Sequence, residues 1–145
     1  TAGVLIHGEL TNLPPGWHAI HVHEKGLCEG AFESAGGDLN APGEGHGLDQ
    51  PRHHAGDLPN IWAGEDGTAK FEAVATRFTL GGARVAGAAP ASSASGSTSG
   101  GGTGGAVIQA LDSDGAAIIV HSHRDDHRSD PAGDSHERIA CGVLR

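Results

Sequence analysis

Eleven histidines stand in 145 residues, and their placement says more than their number. Trp17-His18-Ala19-Ile20-His21-Val22-His23 alternates as a strand does, and strand residues two apart face the same way. His21 and His23 therefore share a face and can offer two imidazoles to one metal ion. His18 falls on the other face with Ile20 and Val22, the place of a hydrogen-bonded structural histidine. A second group, Asp38, His46, His53, His54 and Asp57, crowds into one short stretch. Imidazole and carboxylate donors without cysteine make a borderline-to-hard ligand set suited to Zn²⁺; the competing reading is a solvated polar surface. Within His54-Ala55-Gly56-Asp57 the glycine lets the chain fold so that both side chains meet one ion. A third signal is the apolar run Ala117-Ile118-Ile119-Val120, which ends in His121 and so delivers an imidazole from a rigid element to the mouth of a core. His123, His127 and His136 stand in polar surroundings and read as solvated, and His7 has no evident partner.

The elements that must hold these groups are β-strands. Apolar runs of strand length recur, each closed by Gly, Pro, Asn or Asp, and no long stretch keeps a 3.6-residue period. The expected strands cover residues 4–10, 17–23, 60–62, 68–74, 107–111, 116–121 and 138–144. Gly64-Glu65-Asp66-Gly67 and Asp112-Ser113-Asp114-Gly115 read as the turns of two hairpins. Many short strands with punctuated turns predict a sandwich or barrel. Residues 25–59 carry no strand period, and irregular segments of that length inside a compact domain are usually functional. Residues 87–105 contain only Gly, Ala, Ser, Thr and Pro. Such a stretch buries too little apolar surface to offset its ordering entropy, so a flexible surface insertion is expected there.

Composition narrows the function. A length of 145 residues predicts a single domain over 1–145. Nine Lys plus Arg against 18 Asp plus Glu give a formal charge of −9, which lacks the footprint of a nucleic-acid binder. No Gly-x-Ser-x-Gly turn points to a serine hydrolase. Neither a transmembrane segment nor a signal peptide is expected within these residues, which leaves room for a leader removed earlier. Cys28 and Cys141 lie near opposite ends with no CxxC, which argues against a redox dithiol or a zinc ribbon. They are either two separate buried thiols or a bridge closing a loop worth up to ~4.7 kcal/mol, and a bridge would place the chain in an oxidising compartment.

Several motifs in order resemble one family. These are His18-Ala19-Ile20-His21-Val22-His23-Glu24-Lys25-Gly26, Cys28, Glu33-Ser34-Ala35-Gly36-Gly37, His54-Ala55-Gly56-Asp57-Leu58-Pro59, Val120-His121 and Glu137-Arg138-Ile139-Ala140-Cys141-Gly142-Val143. Along nearly the whole chain they resemble the copper/zinc superoxide dismutases, especially the bacterial ones. The resemblance implies an all-β, Greek-key, immunoglobulin-like sandwich flattened toward a barrel, with long metal-binding loops outside it. It implies copper on His21, His23 and His121, zinc on His46, His54 and Asp57, and a Cys28–Cys141 disulfide. Arg138 would dock the superoxide anion, and Asp125 would orient ligands of both metals. The reaction implied is disproportionation of superoxide to oxygen and hydrogen peroxide, with copper carrying the redox change and zinc organising the site. A chain of charge −9 must attract that anion through a local positive patch, for which Arg138, Arg124, Arg128 and Lys25 are candidates. A periplasmic, envelope-attached or secreted location is expected, and a homodimer is one assembly the reading allows.

Three departures stand out. Asp38 occupies the position where the family has a histidine bridging copper and zinc; it would complete a closed zinc set with His46, His54 and Asp57. The family usually has about two strands ahead of the segment that resembles residues 4–10, and without them a sheet edge would be left for other residues or another chain to pair. The insertion at 87–105 is the third. Two alternatives follow: a zinc-stabilised relative without the copper reaction, on the strength of Asp38, or a metal-buffering protein using His53, His123, His127 and His136.

Overall fold

The computed structural model describes residues 3–81 and 108–144; the insertion expected at 87–105 lies outside them. Nearly every regular element is a strand. β1 (Val4–Leu10) runs antiparallel to β5 (Ala69–Ala75), with Val4 opposite Ala75 and Leu10 opposite Ala69. Alternation does what the sequence asks of it: Val4, Ile6 and Leu10 turn inward while Leu5, His7 and Glu9 face out. β2 (Gly16–His18) pairs with β4 (Ile61–Ala63), and Trp17 meets Trp62 edge-on, their ring centroids 5.3 Å apart. β3 (Ile20–His23), β8 (Ala116–His121) and β9 (Arg138–Leu144) form an antiparallel sheet with β8 in the middle. β6 (Phe78–Thr79) and β7 (Ile108–Gln109) make a short parallel pair.

Two expectations need correction. The strand foreseen over 17–23 is divided at Ala19, which is fully buried and carries the chain from one sheet to the other. Its amide donates to the His123 carbonyl at 2.8 Å and its carbonyl accepts from His121 at 2.9 Å. The hairpin foreseen between 107–111 and 116–121 does not form, because β7 pairs with β6 and β8 with β3 and β9. The reason is burial. Ala116, Ala117, Ile119 and Val120 are all inaccessible, and a strand buried on both faces needs partners on both edges. The other turn closes as read, through Gly64 N–H to Thr68 O at 3.0 Å and Gly67 N–H to Gly64 O at 2.9 Å, although its strands ladder with β2 and β1.

Ile20, Val22, Leu58, Ile61, Phe78 and Val120 form the centre of the core, and the inward residues of β1, β5 and β9 pack on it. The sheets do not close among the described residues: β1 ladders with β5, β9 with β8, and an apolar groove of about 220 Å³ separates β1 from β9. Between β3 and β4 runs the long irregular segment, whose one regular piece is a 3₁₀ turn at Glu33–Ala35. It is laced to β3 by a ring of backbone bonds, Leu39 N–H to Val22 O, Gly56 N–H to Leu39 O and Val22 N–H to Gly56 O, at 2.7–2.9 Å. Only glycine fits at position 56, where a Cβ would stand 2.1 Å from the Val22 oxygen. Cys28 of this segment is disulfide-bonded to Cys141 of β9, with Cα atoms 5.8 Å apart. The bridge, and not the pair of separate thiols, is the outcome.

Candidate metal centre

Strand parity and the central position of β8 bring three imidazoles to one point. His21, His23 and His121 are almost completely buried, and one ring nitrogen of each lies within a common 4.8 Å cluster. Each ring spends its other nitrogen on an oxygen: His21 Nε2 donates to Asp125 Oδ2 at 2.6 Å, His23 Nδ1 to Gly36 O at 2.9 Å, and His121 Nδ1 to His136 O at 3.2 Å. That choice fixes the tautomers. It leaves lone pairs on His21 Nδ1 and His121 Nε2 only 3.3 Å apart. His23 Nε2 is buried with no hydrogen-bond partner and faces Asp38 Oδ1 at 3.2 Å. Lone pairs and a carboxylate gathered around one point repel unless a cation sits among them, so this donor set fits a metal such as copper. Burial pushes the His121 imidazolium down to about 4, helped by His21. Burial also lowers His23, against the pull of Asp38. Both rings are thus neutral and available as ligands.

The second set adjoins the first. His46 Nδ1 lies 3.1 Å from Asp38 Oδ2 and 3.0 Å from Asp57 Oδ1, while His54 Nδ1 lies 3.2 Å from Asp38 Oδ2 and 3.8 Å from Asp57 Oδ1. Asp57 Oδ2 accepts the Gly47 amide at 2.8 Å, whereas its Oδ1 is buried without a hydrogen-bond partner. The tightest grouping of donor atoms here is His21, Asp38, His46 and Asp57, and His54 lies at its edge against Asp38; two imidazoles, His46 and His54, with two carboxylates are a donor set of the four-coordinate zinc type. Without a metal the site holds a proton instead. Burial opposes a charge on His46, yet the adjoining carboxylates of Asp125, Asp38 and Asp57 outweigh this and push it up to about 12. Asp38 is held well below the usual carboxylate range: burial works to raise it, but His46 and His54 prevail.

Asp125 joins the two sets. Its carboxylate accepts from His21 Nε2 and from His46 Nε2, the latter at 2.9–3.0 Å, and from the His127 amide at 2.6 Å. Burial would raise it, but His21 and His46 keep it far below the ordinary value. Its backbone is clasped by Asn60, which donates to Asp125 O at 2.9 Å and accepts from Asp125 N at 2.7 Å. Arg138 lies beside the three-histidine set. Its Nη1 donates to Phe32 O at 2.7 Å and its Nη2 to Gly36 O at 2.6 Å.

Other expected residues fall elsewhere. His53 turns its Nδ1 to the His54 carbonyl at 2.8 Å, 3.8 Å from Asp57 Oδ2, and makes no contact with Asp38 among those that draw in His54. His18 spans Pro14 O and His121 O, each at 2.7 Å, the structural role expected of it. Arg124 and Lys25 are exposed, and Arg128 is paired with Asp49 at 3.1 Å. His127 is not a solvated residue: half-buried, it sits 3.2 Å from Asn60 Nδ2 and 3.6 Å from Asp125 Oδ2. Sequence reasoning also missed Asn60 and Arg77. Buried Arg77 reaches the His53 carbonyl and Glu44, so it clasps both arms of the loop that carries His46 and His54. Their type and spacing carry no local signal, since each acts on chain far away in sequence.

Comparison with known proteins decides the family. Residues 1–144 match the profile of "Copper/zinc superoxide dismutase (SODC)". The chain belongs to the copper/zinc superoxide dismutase family. A superoxide dismutase [Cu-Zn] of Caulobacter vibrioides is 41% identical over 146 residues, covering 99% of this chain and 72% of that protein. A second from Aquifex aeolicus is 35% identical, covering 99% and 73%. The crystal structure of a SOD-like protein from Bacillus subtilis superposes with a TM-score of 0.77 at 35% identity, over 99% of this chain and 83% of that one. The Cu/Zn superoxide dismutase of Brucella abortus shares the fold, with a TM-score of 0.64 at 24% identity, covering 99% and 81%. This dismutase-family chain is thus an all-β oxidoreductase domain of the Cu/Zn type. For that family, copper and zinc are the implied metals, and the donor sets above suit both.

Proposed function

We propose that this chain disproportionates superoxide, with His21, His23 and His121 holding copper and Asp38, His46, His54 and Asp57 holding zinc. The observation that carries the reading is the pair of adjacent donor groups, His21, His23 and His121 beside Asp38, His46 and Asp57 with His54 at 3.2 Å from Asp38, each with a buried donor atom left unpartnered, His23 Nε2 in one and Asp57 Oδ1 in the other. When bound there, copper would supply the one-electron chemistry that turns one superoxide into oxygen and another, with two protons from solvent, into hydrogen peroxide, and zinc, with a single accessible oxidation state, would organise the ligands. Arg138 supplies fixed positive charge beside His23 and docks the anion in a molecule whose net charge repels it. Asp125 keeps His21 and His46 in the tautomers that aim Nδ1 inward. The disulfide suits an oxidising compartment, and the periplasm or cell envelope is the location we favour.

Asp38 favours a second reading, a relative stabilised by zinc that has lost the copper reaction, since a carboxylate cannot serve as an imidazolate bridge. Metal content and dismutation rate after reconstitution with both metals, for the native chain and Asp38→His, separate the two. One copper and one zinc per native chain with rapid dismutation is the expected result. Zinc alone and no activity in the native chain, with copper and activity gained by Asp38→His, would overturn it.

A further inference from the structure

Asp38 presents its two oxygens to different sets of imidazoles. Oδ1 lies 3.2 Å from His23 Nε2 and 3.6 Å from His21 Nδ1. Oδ2 lies 3.1 Å from His46 Nδ1 and 3.2 Å from His54 Nδ1. No rearrangement of the chain is needed for this division. Asp38 is paired with His23 in an isolated antiparallel bridge, and the following amide, Leu39 N–H, donates to Val22 O at 2.7 Å. The backbone of Asp38 is thereby locked to the strand that carries His21 and His23. Its side chain is only 3% exposed, so water does not compete for either oxygen.

We infer that Asp38 is a carboxylate bridge, with Oδ1 a ligand of the ion held by His21, His23 and His121 and Oδ2 a ligand of the ion held by His46, His54 and Asp57. This rests on the two-metal reading above and goes beyond it, since that reading gives Asp38 to zinc alone. The chemistry is ordinary for a carboxylate, which has lone pairs on both oxygens and can serve two cations at once. It differs in kind from an imidazole in the same place. An imidazole must give up both ring protons to join two ions, whereas a carboxylate joins them with the single negative charge it already has.

The test is the crystal structure of the native chain loaded with copper and zinc, with anomalous diffraction at both absorption edges to identify each ion. The expected result is copper on the three histidines with Asp38 Oδ1 bonded to it, and zinc with Oδ2 at the usual carboxylate distance of about 2.0–2.2 Å. Both oxygens on zinc, or Oδ1 turned away from a copper still held by three histidines, would overturn the bridge and leave the dismutase reading standing. Absence of copper from the histidine set would overturn both. Asp38→Asn gives a solution check, because the amide keeps the shape but has one oxygen. Zinc affinity should fall about tenfold or more, a loss that even the outer partners of metal ligands bring about, and the electron-spin spectrum of bound copper should change. A weakened zinc site beside an unaltered copper spectrum would mean that Asp38 serves zinc alone.

Discussion

His23 and Arg138 are tied to the same acceptor: the Gly36 carbonyl takes the Nδ1 proton of His23 at 2.9 Å and an Nη2 proton of Arg138 at 2.6 Å. One backbone oxygen therefore sets both the aim of a metal-facing imidazole and the position of the Arg138 guanidinium. Truncation should separate the two effects. Arg138→Ala is expected to keep copper and zinc content while the dismutation rate falls about tenfold or more, the scale of electrostatic capture, and the dependence of the remaining rate on salt should weaken. Stopped-flow rates at several ionic strengths check this; an unchanged rate would remove Arg138 from the substrate path.

The proton on His46 predicts how zinc binds. Because His46 is pushed up to about 12 in the metal-free chain and His54 is raised as well, zinc must displace protons at neutral pH, and apparent affinity should rise at least about tenfold per pH unit between about pH 7 and 9. Competition with a chelator at fixed free zinc measures it. An affinity flat across that range would mean the site is empty of protons before zinc arrives.

Metal-free stability should peak near the ordinary histidine value. His121, down to about 4, and His23, lowered, bind fewer protons folded than unfolded, so stability rises with pH from about 4 to 6.5. The lowered Asp38 and Asp125 act in the same sense, their contribution being lost as pH falls through the carboxylate range. His46 and His54 are raised; the folded chain keeps their protons above 6.5, and their contribution is lost as pH climbs further. Thermal melting of the chelated protein from about pH 4 to 9 should show the maximum, and a steady rise to pH 9 would contradict it.

Gly133 makes room for Asp125. Its φ is +64°, and a Cβ there would stand 1.8 Å from Asp125 Oδ1 and 2.9 Å from His46 Nε2. Gly133→Ala should cost on the order of 1–3 kcal/mol from backbone strain alone and, by displacing Asp125, weaken both metals by about 10- to 100-fold. Denaturant melts and chelator titrations read the two effects; unchanged metal affinity would show that Asp125 is not a shared support.

Reducing the Cys28–Cys141 bridge should do more than destabilise. The cross-link spans 113 positions, which by chain entropy is worth up to ~4.7 kcal/mol. It also pins the segment whose Phe32 and Gly36 carbonyls hold Arg138, so mild reduction should lower activity before the chain unfolds. Parallel activity and circular-dichroism curves against reductant check this, with coincident loss of both as the contrary result.

What the sequence determined by itself was local. A two-residue period puts His21 and His23 on one face, and the apolar run before His121 marks a buried strand, because each depends on nearby residues alone. Family motifs extended this to the ligand sets proposed above and to Asp125 and Arg138 as candidates beside them. Tertiary structure decided the rest. Whether residues 17–23 were one strand or two depended on Ala19 crossing between sheets, and the partners of β8 on which strands could cover both its edges. The use of Asn60 and Arg77 as supports depended on partners 65 residues away for Asn60, and 24 and 33 residues away for Arg77. The division of Asp38 between two donor sets was the same kind of fact: its identity was plain in the sequence, but which imidazole faces which oxygen follows only from packing residues 21, 23, 46 and 54 around one buried carboxylate.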